Sequence, residues 1–239
     1  MSVCMAVHNG ERFLRTQVES ICQQLRPGDE LVAVDDASRD DSVAVLLSIP
    51  DPRIRVYRNS TNLGVLATFE RVLTLATGAI LFLSDQDDVW LPGKLAKSLE
   101  AFAADPRITM VASDATLIDE EGNTVGSSFF SQRGRFARGL LHNFVKNKHL
   151  GCTLSFRREM LSVFLPIPLD VPMHDMWFGA LNSIYGRTHY IDEPLVAYRR
   201  HGRNASPVVS PGILKAARWR YCLAKDVARR VISRAMGPK

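Results

Sequence analysis

Several common functional signatures are missing from this chain. Four cysteines in 239 residues, Cys4, Cys22, Cys152 and Cys222, form no Cys-x-x-Cys pair. That pattern excludes a disulfide framework or a thiolate metal site and reads as reduced, mostly small core residues. No apolar run reaches the ~18 residues of a membrane-spanning helix. No basic and apolar leader with a cleavage site precedes the first strand, so a cytoplasmic chain is expected. No Gly-x-Gly-x-x-Gly follows that strand and no Gly-x-x-x-x-Gly-Lys-Ser/Thr occurs anywhere, so the usual phosphate-cradling glycine loops are absent. Internal repeats and low-complexity tracts are also lacking. A hydrophobic content of 46% and a charged content of 23% then describe an ordinary globular chain with a substantial core.

The net charge of +5 is unevenly spread. Residues 211–239 carry eight Lys/Arg against Asp226 alone, a local +7, whereas residues 1–210 hold 22 basic and 24 acidic residues, or −2. In the tail, Ile213, Leu214, Tyr221, Leu223, Val227 and Ile232 are interleaved with the basic residues. This pattern fits a basic amphipathic helix on an anionic membrane surface, and equally a helix packed on its own domain. No nucleic-acid partner is expected.

Over the first ~85 residues, strand and helix patterns alternate as β-α-β-α-β-α-β, which implies a parallel sheet with helices on both faces. Strands are expected at 2–7, 30–34, 54–57 and 79–83, and helices at 11–25, 41–47 and 65–76. In such sheets ligands bind beyond the carboxyl ends of the strands. Three polar turns fall there: His8-Asn9-Gly10, Asp35-Asp36, and Ser84-Asp85-Gln86-Asp87-Asp88. Three carboxylates within four residues repel one another and need cations, donors or raised pKa values. A divalent ion with oxygen ligands meets that need, and an acidic turn capping the next helix is the plainer alternative. Further on, a helix to about residue 103 and a strand at 108–113 are expected. Residues 119–135 read as turn and loop, and 136–145 as a helix. A strand at 151–156, a helix from His174 to Ile184, and short strands near 189–191 and 195–198 follow.

The motifs in their order resemble family 2 glycosyltransferases. Val34-Asp35-Asp36-Ala37-Ser38-Arg39-Asp40-Asp41-Ser42 is similar to that family's D-D-x-S-x-D-x-S turn. Asn62-Leu63-Gly64, Thr77-Gly78 and Asp85-x-Asp87-Asp88 follow in the family's order and spacing, so the likeness covers about residues 2–200. SDQDDVWLP and YRRHGRN resemble the bacterial rhamnosyltransferase-type branch.

The resemblance implies a GT-A (Rossmann-like) α/β fold, with a mostly parallel central sheet flanked by helices and a C-terminal basic amphipathic helix. The glycosyltransferase domain would span 1–205, with a nucleotide-sugar half at 1–113 and an acceptor half at 114–205; the tail would span 206–239. The implied activity is metal-dependent, inverting transfer from a nucleotide diphosphate sugar, dTDP-rhamnose by the branch likeness. The acceptor would be a glycan or lipid-linked hydroxyl in bacterial surface polysaccharide synthesis. Ala6, His8, Asn9, Asp36, Asn62 and Asp85 would bind the donor. Asp87, with Asp88 and His201, would hold Mn²⁺ or Mg²⁺. Asp175 would be the single base an inverting transfer requires. Its position also fits an N-cap aspartate, and Asp114 and Asp119 are rivals for the role. His201 also fits a surface histidine, and Arg199, Arg200 and Arg203 would either face the diphosphate or begin the basic tail. Trp90 and Trp177 read as core. Lys215 stands where processive relatives carry glutamine before Arg218-Trp219, so single-residue addition is expected. A nucleotidyltransferase or a non-catalytic nucleotide-sugar-binding module is the alternative.

Overall fold

The computed structural model describes residues 1–133, 149–202 and 212–237. The helix expected at 136–145 and the side chain of Arg203 lie outside them. The chain begins with strand β1 (Ser2–Val7), helix α1 (Glu11–Cys22), β2 (Glu30–Asp35), α2 (Ser42–Leu47), β3 (Ile54–Arg58), α3 (Val65–Leu75) and β4 (Ile80–Ser84). β1, β2 and β4 are buried along almost their whole length, as a continuous apolar run covered on both faces requires. α1 turns Leu14, Gln17, Val18 and Ile21 inward, a three-and-four spacing that follows from 3.6 residues per turn.

The second half comprises β5 (Val89–Trp90), α4 (Lys94–Ala104), β6 (Met110–Ile118), β7 (Thr124–Gly126), α5 (Phe129–Arg133), β8 (Leu154–Arg157), α6 (Leu161–Phe164), α7 (His174–Tyr185), β9 (Thr188–Arg199) and α8 (Ile213–Ala235). A 3₁₀ turn, Gly151–Thr153, leads into β8. The sheet order is β3-β2-β1-β4-β8-β6-β9-β5, with β7 on β6. Its first four strands are parallel; β8 enters antiparallel between β4 and β6, and β6 pairs parallel with β9. The result is the expected α/β sheet flanked by helices, mixed in its second half.

Two local expectations change, and one of the two open readings of the tail is met. The two short strands foreseen near 189–191 and 195–198 are one strand. Pro194 lies opposite Asp114, where the register shifts, and a proline without an N–H is tolerated at such an irregularity. The span 119–135 holds β7 and α5 rather than loop alone. There Asp114 accepts the Phe130 and Ala115 N–H groups and the Ser128 hydroxyl. The tail helix α8 packs on the domain through buried Leu223 and Val227, and Arg230 donates to the carbonyls of Val163, Leu165 and Pro166.

Glu30 ties the sheet's amino edge together. Its carboxylate accepts from the Ser2 hydroxyl (2.6 Å), the Thr77 N–H and hydroxyl (both 2.7 Å) and Arg55 (2.7 Å). Gly78 follows because a Cβ there would lie 2.5 Å from the Met1–Ser2 backbone. Burial opposes ionisation of Glu30, but these donors outweigh it and hold its carboxyl at about 2. A carboxyl depressed below its unfolded value stabilises the fold above the ordinary glutamate range and loses that contribution as pH falls towards 2. Glu30→Gln is expected to cost roughly 2 kcal/mol at neutral pH, since charged hydrogen bonds are lost. It should also flatten the urea-midpoint profile between about pH 4.5 and 2. A variant with wild-type midpoints across that range would show the network to be inert.

Candidate active site

The carboxyl ends of β1, β2 and β4 meet at one cavity of about 290 Å³, lined among others by Ala6, His8, Asp36, Asn62, Asp85 and Asp87. Asp36, at the end of β2, is buried and accepts from the N–H groups of Leu63 (2.8 Å) and Gly64 (2.9 Å) and the Asn59 amide (2.6 Å). Burial works against its charge, yet these donors hold its carboxyl below the usual range. Gly64 can present its N–H there because it adopts φ +84, a conformation that carries little penalty only without a side chain. Asp36 therefore shapes the 59–64 loop, which explains why Asn62-Leu63-Gly64 accompanies the Asp35-Asp36 turn.

His8 places Nδ1 2.8 Å from the Asp36 carbonyl oxygen. Its own N–H and carbonyl are clamped by the Gln86 side chain at 2.7 and 3.0 Å. Asn9 does not face the 290 Å³ cavity. It braces the turn through the Ser38 hydroxyl and the Arg39 N–H, and it lines an adjoining cavity of about 990 Å³. The two cavities share His8, Gln86 and Asp87 as a common wall.

The acidic motif divides by depth. Burial first, then the charges of Asp87 and Asp175, push the Asp85 carboxyl up to about 7. Asp87 lines both cavities, and its Oδ2 lies 2.7 Å from His201 Nε2. The His201 ring is seated on Phe13 at a centroid distance of 5.3 Å. Asp88 is fully buried and lines neither cavity. One of its oxygens accepts the Arg199 N–H at 2.9 Å, and its carboxylate clusters with those of Asp85 and the Cys152 thiol. Burial, then Asp87 and Asp85, raise its carboxyl well above normal. Buried Lys94 lies behind this cluster and donates to the Thr153 carbonyl at 3.3 Å, its ammonium lowered by burial to about 8.

Asp175 is the second residue of α7, not its N-cap, which is Met173. Its Oδ1 accepts the adjacent Met176 N–H, and its charge reaches Asp85. The rival aspartates are turn-makers: Asp114 as above, and Asp119 accepting the Glu121 and Asn123 N–H groups. Arg199 neither faces the cavity nor opens the tail. Its guanidinium donates to the carbonyls of Asp87, Asp119 and Glu120 and covers Phe13 at 4.6 Å. Trp177 is core, donating to the Phe164 carbonyl at 2.7 Å. Gln86, Lys94 and Phe69 were not singled out from the sequence, and Cys152 reads there as a small core residue. Only Gln86, enclosed by the acidic motif, carried a local signal.

The Glycosyl transferase family 2 model matches residues 2–164. An uncharacterised glycosyltransferase from Nostoc sp. is 27% identical over 217 residues, covering 85% of this chain and 66% of the relative. Escherichia coli WfgD, a UDP-Glc:alpha-D-GlcNAc-diphosphoundecaprenol beta-1,3-glucosyltransferase, is 24% identical over 165 residues, covering 69% of this chain and 62% of its own. The chain thus spans about two thirds or less of these relatives. Staphylococcus aureus TarS 1–349 with UDP-GlcNAc superposes at TM-score 0.71 with 21% identity, over 97% of this chain and 66% of that one. The mannosyltransferase PcManGT from Pyrobaculum calidifontis, with GDP-Man and Mn²⁺, gives 0.62 with 17% identity, over 100% and 75%. These likenesses show the GT-A fold. With the motif order, the cavity at the strand ends and a family match across most of its length, the chain belongs to glycosyl transferase family 2.

Proposed function

We propose that this protein is an inverting glycosyltransferase that moves a sugar from a nucleotide diphosphate sugar to a hydroxyl of a glycan or lipid-linked acceptor. The observation that carries this reading is the convergence of Asp36, Asp85 and Asp87 on one edge of the sheet, with Asp175 on α7 close enough for its charge to act on Asp85. Asp36, Ala6, His8 and Asn62 bound the nucleoside end. The 290 Å³ cavity is nucleoside-sized and lies at the lower limit of small-molecule sites. The adjoining 990 Å³ cavity has room for the rest of the donor.

Asp87 and His201 fit a divalent ion. The Asp87 carboxylate on the shared wall and the His201 imidazole in the adjoining cavity already lie 2.7 Å apart, and the acidic residues beside them leave negative charge for a cation to offset. When bound there, Mn²⁺ or Mg²⁺ supplies counter-charge to the donor's diphosphate oxygens. Asp88 backs this site from the core, and Asp85 completes its rim. In the transfer, the acceptor oxygen bonds to the anomeric carbon as its proton passes to an Asp175 carboxylate oxygen. The bond from that carbon to the diphosphate breaks, and the nucleoside diphosphate departs with the electron pair. One displacement inverts the anomeric centre and needs no protein nucleophile.

Rhamnose as the sugar rests on SDQDDVWLP and YRRHGRN alone, so the donor is chosen by test. Thermal shift is measured with UDP-GlcNAc, UDP-glucose, GDP-mannose and dTDP-rhamnose, with and without Mn²⁺. Stabilisation by one of them, larger with Mn²⁺, is expected. Indifference to all four and to their free nucleoside diphosphates would end the nucleotide-sugar reading.

The acceptor reading gives α8 a membrane role at the inner face of a cytoplasmic membrane. Among the described residues no helix is long and apolar enough to cross a membrane. α8 instead docks by Leu223 and Val227 and leaves Leu214, Tyr221, Ile232 and Met236 exposed beside Arg218 and Arg229. Such a face suits anionic lipid. The triple variant Leu214→Ser, Tyr221→Ser, Ile232→Ser leaves the docked face intact. It is expected to release the protein from phosphatidylglycerol vesicles in a sedimentation assay. Intact protein that stays in the supernatant would refute the membrane role.

A further inference from the structure

Asp175 sits on α7, whereas Asp36 and the 85–88 motif sit on the sheet edge, so something must fix the distance between them. The 3₁₀ turn Gly151–Thr153 touches both. Cys152 clusters with the carboxylates of Asp85 and Asp88, and the Thr153 carbonyl takes the Lys94 ammonium. On the other side, a Cβ at Gly151 would stand 2.7 Å from His174 Nε2 and 3.8 Å from Asp175 Cβ. The turn therefore abuts the residue next to the base with no room for a methyl group.

His174 is only 2% exposed, and neither ring nitrogen has a hydrogen-bond partner. Burial lowers its imidazole to about 3, which keeps the ring neutral. With both nitrogens unpaired, the ring is held by packing rather than by polar contacts. That packing is specific. The His174 ring lies 4.0 Å from Phe69 at 31°, and 5.9 Å from Phe178. Phe69 in turn forms part of the wall of the 290 Å³ cavity.

We propose that His174 is a positioning residue, a neutral aromatic wedge gripped between Gly151 and Phe69 that sets Asp175 at its working distance from the donor cavity. The proposal rests on Asp175 being the base. An ordinary core ring would affect stability alone, whereas a wedge affects turnover while donor binding is preserved, because a displacement of about 1 Å can lower a rate by as much as 100-fold.

Turnover is read as nucleoside diphosphate release from the four nucleotide sugars named above, with water standing in for the acceptor. Binding of the free nucleoside diphosphates is read by calorimetry. Gly151→Ala and His174→Ala are each expected to slow release roughly ten- to a hundred-fold at saturating donor, with nucleoside diphosphate affinity held within about two-fold. The double variant should be no slower than His174→Ala, since the added methyl then has no ring to displace. His174→Phe, which keeps a ring and loses both nitrogens, should retain most of the rate. Wild-type release in both single variants would overturn the proposal. So would losses matched by weaker nucleoside diphosphate binding, multiplicative effects in the double variant, or a His174→Phe variant as slow as His174→Ala. Asp175→Asn separates the two readings: undiminished release there removes the base itself. An inactive Asp175→Asn beside unaffected Gly151→Ala and His174→Ala removes only the wedge.

Discussion

Asp175→Asn should lower sugar transfer by about 10²- to 10⁴-fold, the usual contribution of a general base, while leaving nucleoside diphosphate affinity near that of the unmodified protein. The substitution keeps the shape and removes the proton acceptor. The fold should tolerate it, because Asp175 is not the cap of α7, and the Met176 N–H it accepts can bond equally to an amide oxygen. Removing its charge also relieves Asp85, whose carboxyl is raised by burial, then Asp87, then Asp175. Single-turnover assays with saturating donor, beside calorimetry of nucleoside diphosphate binding, separate the two effects. Transfer at the unmodified rate would eliminate Asp175 as the base.

Much of this site is legible in the sequence because its parts are short motifs placed where strands end. β1, β2 and β4 announce themselves as apolar runs, and a parallel sheet brings their carboxyl ends together whatever lies between. His8, Asp36, Asp85 and Asp87 thus fall on one edge, as expected. The illegible part is made of contacts between residues distant in sequence. Arg199 reads as one more cation in Arg199-Arg200-His201, and only folding shows its guanidinium taken up by carbonyls at Asp87, Asp119 and Glu120. Asp88 looks the equal of Asp87 in a run of acids, yet in the turn between β4 and β5 it is taken up by the Arg199 N–H in the core while Asp87 faces the cavity. Lys94 carries no motif and Cys152 reads as a core cysteine, and they reach the acidic cluster because β8 enters the sheet beside β4 and brings its leading turn under it. The continuity of β9 through Pro194 is hidden for a related reason. Proline ends most strand patterns, and only the shifted register against Asp114 accommodates it.

Asp87→Ala is expected to weaken Mn²⁺-dependent nucleoside diphosphate binding by roughly 100-fold, since a metal ion on a phosphoryl oxygen contributes several kcal/mol and each 1.4 kcal/mol is a factor of ten. Binding measured in EDTA should barely change, because the nucleoside contacts at Asp36 and His8 belong to other strands. The position of Asp87 makes it the sensitive one of the three acids. It alone lines both cavities, and it alone pairs with His201, which Phe13 holds from behind. Asp88→Asn gives the contrasting result. That residue is buried away from both cavities, and an amide oxygen can accept the Arg199 N–H as its carboxylate does. Its Mn²⁺-dependent affinity should stay within a few-fold of the unmodified protein, with any cost appearing in the melting temperature. His201→Ala should fall between the two, since second ligands and their orienting partners are typically worth 10- to 100-fold, roughly, in metal affinity. Calorimetric titration of UDP and dTDP in Mn²⁺ and in EDTA checks all three variants. An Asp87→Ala protein that keeps its Mn²⁺ response, or an Asp88→Asn protein that loses it, would move the ion from the shared wall of the cavities to the buried cluster around Cys152.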